Sequence, residues 1–170
     1  MKTRIMFVAL LITSVMLWSC GEASGENAKQ PVKTGANAGA GSNAAKSNPS
    51  GLNTFQLEHG VGPITAELKL AAVNATLAKT GEKIFETKCF SCHRLDDRYV
   101  GPPLREVTKR RKPEYVVNMI LNPDEMIKKH PDAKKLLAEY MTPMTFQNVT
   151  KDEAMAILEY FRYSAEQKKK

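Results

Sequence analysis

Cysteine is scarce in this chain, with three among 170 residues: Cys20, Cys89 and Cys92. That number builds no disulfide-stapled scaffold. Aromatic residues make up only 7%, with a single tryptophan. The length excludes a large two-domain enzyme. Long runs of one charge sign are missing too, so nothing resembles a nucleic-acid arm. The chief apolar stretch, from Ile5 to Trp18, falls short of the roughly 20 residues that suit a transmembrane helix. A domain this small must be made rigid by something other than disulfides.

What is present at the front of the chain speaks to compartment. Lys2 and Arg4 precede the apolar stretch, the arrangement of a secretory signal over residues 1–19. The stretch ends in Leu17-Trp18-Ser19-Cys20-Gly21, which resembles a bacterial lipobox. The resemblance implies that Cys20 becomes the first mature residue and carries lipid, although Trp18 stands where a small residue is usual. Removing residues 1–19 lowers the formal charge from +7 to +5, with 23 Lys and Arg against 18 Asp and Glu. Residues 21–50 are nearly all Gly, Ala, Ser, Asn, Pro and Lys, with Val32 the only bulky apolar side chain. Such a stretch cannot bury enough surface to offset its ordering entropy. With Cys20 it makes a lipidated linker over 20–50, with a reach on the order of 30 Å. The expected protein is exported to the bacterial periplasm and held to a membrane by its lipid.

Cys89-Phe90-Ser91-Cys92-His93 is C-x-x-C-H, the attachment signature of c-type haem. Two thiols add across the two vinyl groups of one porphyrin, and the next residue sets an imidazole beneath the iron. Covalent attachment supplies the missing rigidity. Two other uses of C-x-x-C fit less well. A redox dithiol fits poorly with the following histidine and the absence of a βαβ pattern. Half of a zinc site needs a second tightly spaced ligand pair, and His59 and His130 lie 30 or more residues away. The cysteine arithmetic then closes, with one for lipid and two for thioethers.

The flanks read as helices. Asn74 is placed to cap one from about Ala75 to Lys88, with Leu77, Gly81, Ile84 and Phe85 on one face. Thr150-Lys151-Asp152-Glu153 has the form of a capping box, opening a helix that ends near Ala165 and carries Ala154, Ile157, Leu158 and Phe161 as its apolar stripe. With these elements and the motif, residues 74–166 resemble a class I monohaem cytochrome c. The resemblance implies an all-α domain wrapped around one covalent haem c, with its terminal helices crossing at Gly81 beneath Tyr160 or Phe161. It also implies that Pro102, in Val100-Gly101-Pro102-Pro103-Leu104, accepts a hydrogen bond from His93 Nδ1, leaving Nε2 for iron. Residues 51–73 form an N-terminal extension that this fold does not explain.

For the sixth iron ligand, five methionines follow the signal. Met119 and Met155 fall in helical patterns where methionine is usually core filler, and Met126 follows the helix start Asn122-Pro123-Asp124. Met141-Thr142-Pro143-Met144 lies in a loop ahead of the last helix, where the family carries its axial methionine. Met144 is the choice, framed by Pro143, Val149 and Thr150; Met141 stays open. Gln147 or Asn148 is a candidate donor to the thioether sulfur, and His59 and His130 are the remaining axial candidates. Lys109-Arg110-Arg111-Lys112 is either a solvated helix end or a patch that steers an acidic partner.

A His93/Met144-ligated haem leaves no open iron position, so the expected function is an electron carrier and not an enzyme. Its partners are redox proteins, without nucleic acid or small-molecule substrate. Two alternatives stay open: a ligand-binding or peroxidatic haem protein with a displaceable methionine, and a tightly bound electron-entry subunit. Glu58-His59-Gly60, Arg94-Leu95-Asp96-Asp97-Arg98 and Gln147-Asn148-Val149-Thr150 also look like the small cytochromes that accompany atypical nitrous oxide reductases. That likeness implies a copper reductase as partner.

Overall fold

A computed structural model describes residues 49–167. The expected signal, Cys20 and most of the linker lie outside them. Seven helices follow one another: α1 (Thr54–His59), α2 (Ala75–Lys88), α3 (Val107–Arg110), α4 (Pro113–Leu121), α5 (Pro123–Lys129), α6 (Pro131–Tyr140) and α7 (Lys151–Glu166). No strand occurs among the described residues. The all-α expectation is met.

The two long helices begin where local chemistry stops the backbone amides from being orphaned. The Asn74 carboxamide accepts from the N–H groups of Thr76 and Leu77. At α7, Thr150 Oγ1 accepts from Glu153 N–H while the Glu153 carboxylate accepts from Thr150 N–H, a closed capping box. α2 turns Ala78, Gly81 and Phe85 inward. Leu77, expected on that face, is exposed instead, because the crossing with α7 is centred one residue further round. A Cβ on Gly81 would overlap the backbone carbonyl of Ala156. The aromatic residues expected at this crossing, Tyr160 and Phe161, pack on Phe85 one turn along α2 from Gly81, with ring centroids 5.5 and 5.7 Å from it. The main core is built on this crossing from Phe85, Val116, Val117, Ile120, Ile157, Leu158 and Phe161.

The extension wraps α4 and adds a second apolar cluster of Leu52, Val61, Tyr115, Met126 and Ala133. Three polar side chains stitch it down. Asn118, fully buried, donates through Nδ2 to the carbonyls of His59 and Ile64 and accepts from Ile64 N–H. Met126 Sδ accepts from Val61 N–H at 3.0 Å. Glu114 takes Leu68 N–H on one oxygen at 2.5 Å and faces His59 Nδ1 with the other at 2.7 Å. The far end of the extension is tied to α7, where Glu159 accepts from Asn74 N–H and Arg162 donates to Ala71 O.

Burial pushes the Glu114 carboxyl upward, but the Leu68 and His59 hydrogen bonds outweigh it, and the net direction is down from 4.5. The unfolded chain therefore binds this proton more readily than the folded one. Glu114 contributes stability that is full above the unfolded value and lost as pH falls through the lower folded value. Thermal denaturation of the wild type between about pH 3 and 6 is expected to show that loss. Glu114→Ala removes it and, by stranding His59 and the Leu68 amide, lowers stability at neutral pH by about 3–5 kcal/mol. A pH profile identical to the wild type's would contradict this account.

Candidate functional site

α2 runs out at Lys88, and the next five residues form a tight turn. The N–H groups of Cys92 and His93 both donate to Cys89 O, at 3.0 and 2.9 Å. This brings the two thiols and the imidazole onto one short bend. Cys89 is half-buried against the main core and Cys92 is exposed; both are free.

The His93 ring is oriented from behind. Its Nδ1 lies 3.0 Å from Pro102 O. Gly101 N–H donates to Cys92 O at 2.8 Å, which lays the glycine against the ring. A Cβ on Gly101 would come within 2.5 Å of His93 Cε1. The loop bearing Pro102 is fastened in turn: Leu104 and Arg105 N–H donate to the carbonyls of Arg94 and Leu95. Arg105 forks onto Asp96 at 2.7 and 2.9 Å and reaches Ser164 O near the end of α7. Nε2 is the ring nitrogen left for a metal.

The surroundings of the thiol and the imidazole suit that use. Burial pushes the Cys89 thiol up to about 11, against a smaller opposing effect of Lys88. A redox dithiol or a zinc site needs the reverse, a thiol whose proton leaves easily. Burial also lowers His93, with the Pro102 hydrogen bond opposing it, so the imidazole is neutral and able to donate a lone pair. Among the described residues no cluster of three or more His, Cys, Asp or Glu side chains could hold a bare metal ion. Two thiols and an imidazole on one bend, with a glycine flattened against the ring, fit a haem held by thioethers and one axial nitrogen.

The methionines separate by environment. Met126 is fully buried in the second cluster with its sulfur occupied, and Met119 packs on that cluster too. Met155 lies within α7. Met141 is 82% exposed. Met144 is half-buried against the main core, in a non-helical strap between α6 and α7. The two other histidines are engaged. His130 caps α6 by accepting from Asp132 N–H on Nδ1, and its Nε2 lies 3.0 Å from Leu57 O. His59 is 3% exposed and bound to Glu114.

One expected role goes elsewhere. Gln147 donates its amide to Thr145 O and Oγ1, so it is spent inside the strap. In the basic run, Lys109 pairs with Glu106, Arg111 with Asp132 and Lys112 with Glu58, while Arg110 donates to Pro103 O. The Lys109 and Lys112 side chains remain 60% and 51% exposed beside these partners. Sequence reasoning passed over Lys88, Asp96 and Arg105 as residues of the site. Their partners stand 9 to 65 positions away, and no local pattern reports them.

A helical domain closed by a crossing pair of terminal helices, around a C-x-x-C-H bend with a proline carbonyl behind the histidine, defines a class I monohaem cytochrome c. The model of the cytochrome c family matches residues 78–165, and the chain belongs to that family. Cytochrome c from Rhodothermus marinus is 45% identical, with 70% of this chain and 98% of that one covered and a TM-score of 0.63. An engineered variant of it, Rma TDE, is 46% identical over 66% and 97% of the two chains, with a TM-score of 0.62. The same engineered cytochrome bound to a carbene intermediate aligns at 45% identity over 66% and 97%, with a TM-score of 0.60. No curated protein matches. The family binds covalent haem c with its iron, and its work is haem-based electron transfer between redox proteins.

Proposed function

We propose that this protein is an exported, lipid-anchored carrier of single electrons, with Cys89 and Cys92 in thioether bonds to haem c and His93 and Met144 as the axial ligands. The observation that carries the proposal is the disposition of nitrogen and sulfur donors. His93 has one ring nitrogen bound to Pro102 O and the other available. Met144 is the methionine that lies in a loop and packs against the main core, as Cys89 also does. Met126, His59 and His130 are already hydrogen-bonded elsewhere.

When bound, haem c supplies a ferrous–ferric couple that takes up and gives away one electron. This chain's residues do the rest. Pro102 holds the His93 proton on Nδ1 and makes the ring a stronger donor. Met144 would hold the iron through its thioether, which would favour the reduced state and leave no opening for a gas or peroxide. The core around Phe85, Leu95 and Leu104 excludes water from the site. The signal-like run over residues 1–19, the lipobox-like stretch ending at Cys20 and the polar composition of residues 21–50 support a periplasmic module tethered to a membrane. The short likenesses at Glu58–Gly60, Arg94–Arg98 and Gln147–Thr150 support a copper nitrous oxide reductase as the acceptor.

One fractionation tests attachment and anchoring together. Haem staining of denaturing gels is expected to follow the wild type in membranes and Cys20→Ser in the soluble periplasm, with identical visible spectra. Staining is expected to vanish from Cys89→Ala/Cys92→Ala. Haem retained by that double variant through acid extraction would overturn the attachment. Full membrane retention of Cys20→Ser would overturn the lipid anchor.

A further inference from the structure

Among the described residues, the non-glycine positions with positive φ are Met141, at 54°, and Asn148, at 50°. They bracket the strap that carries Met144. Asparagine tolerates this region, but methionine gains nothing from it. Such conformations persist where the surroundings over-determine them. At each end of the strap the structure shows what does so.

At the near end, the Arg98 guanidinium donates to Glu139 Oε1 and to Glu139 O, both at 2.9 Å, and lies 4.1 Å over the Tyr140 ring. These are the two residues before Met141. At the far end, Lys88 Nζ donates to the carbonyl of Asn148 itself at 3.0 Å and to both Glu153 oxygens at 3.1 Å. Both cations come from the segment that carries the C-x-x-C-H bend. Lys88 stands directly before Cys89, and Arg98 five residues after His93.

The two ion pairs are partly or largely exposed, and exposed pairs add little to overall stability. Their geometry indicates another use. Lys88 grips the main-chain carbonyl of the left-handed Asn148, and Arg98 grips that of Glu139, two residues before the left-handed Met141, with Tyr140 under its guanidinium, so each fixes the direction in which the chain leaves or enters the strap. We propose that Lys88 and Arg98 are positioning residues, a two-point latch by which the haem-attachment segment holds the strap down and keeps Met144 at the iron. The inference rests on the assignment of Met144 as axial ligand. It implies that the difference between a carrier and a ligand-binding haem protein is set by residues that never touch the haem iron.

The test is displacement of methionine from the ferric holoprotein by excess imidazole, followed through loss of the methionine–iron charge-transfer band. Exchange waits on strap opening, so the wild type is slow. Lys88→Ala and Arg98→Ala are each expected to speed it by about fivefold, the upper end for an exposed pair. The double variant is expected to exceed either. Lys88→Arg, which keeps the donor, restores slow exchange. Arg98→Lys, which loses the fork and the ring contact, stays fast. Arg162→Ala breaks the ties to Glu159 and Ala71 O away from the strap, and is expected to lower thermal stability without changing the rate. A wild-type rate in the double variant, with the wild-type band present, overturns the latch and leaves the ligand assignment standing. A wild type that lacks the band overturns the assignment, and the latch with it.

Discussion

Met144→Ala is expected to erase the methionine–iron charge-transfer band of the ferric protein, lower the reduction potential and let carbon monoxide bind the reduced form readily. The thioether favours ferrous iron, so its loss moves the couple downward. Alanine cannot reach the iron, and the sixth position passes to water or an added ligand. Met141→Ala is expected to leave all three properties unchanged. Its side chain is 82% exposed and outside both apolar clusters. Visible spectroscopy, potentiometric titration and carbon monoxide mixing of the two variants separate the alternatives. The opposite pattern would move the role to Met141. A wild type that binds carbon monoxide at once would replace electron carriage with ligand binding or peroxidatic chemistry.

Gly81→Ala is expected to destabilise the holoprotein by about 3 kcal/mol, and Gly81→Val by more. The sign is informative, because alanine in place of an exposed helical glycine gains about 1 kcal/mol. Here the added methyl would sit inside the Ala156 carbonyl. Backbone cannot swing aside as a side-chain tip can, so α2 and α7 must part. Their separation loosens the contacts of Phe85 with Tyr160 and Phe161 on the next turn. Denaturant unfolding of purified holoprotein measures the loss. A stabilised Gly81→Ala would mean that the crossing is looser than the structure describes.

How legible each part was follows from how far its contacts reach along the chain. The bounds of α2 and the start of α7 were readable because their caps are local: Asn74 bonds residues two and three ahead, and Thr150 and Glu153 bond each other. The C-x-x-C-H bend is contiguous and the proline behind its histidine stands nine positions on, so they too stand out in sequence. The extension did not. Glu114, Asn118 and His59 are residue types usually found at the surface, and only partners 46 to 59 positions away make them interior. α6 was equally hidden, since its cap is His130, whose ring does the work usually given to Ser, Thr, Asp or Asn. The partners of the basic run were hidden in the same way. Four adjacent cations look free until Glu58, Glu106, Asp132 and the Pro103 carbonyl are brought to them. Within the strap, Gln147 faces Thr145 because a partner two residues away costs less ordering than one across a gap.

The stitching of residues 51–73 onto α4 and α7 also dictates an order of assembly. Every bond that fastens the segment spans a large stretch of chain, from 46 residues for Leu68 with Glu114 to 91 for Arg162 with Ala71. Closing loops of that size returns nothing until the far partner is already in place. The stretch nearest the start of the domain has its partners only in helices that follow it, so a chain emerging from its N-terminus must wait for α4 before Leu68 is secured and for α7 before Ala71 is.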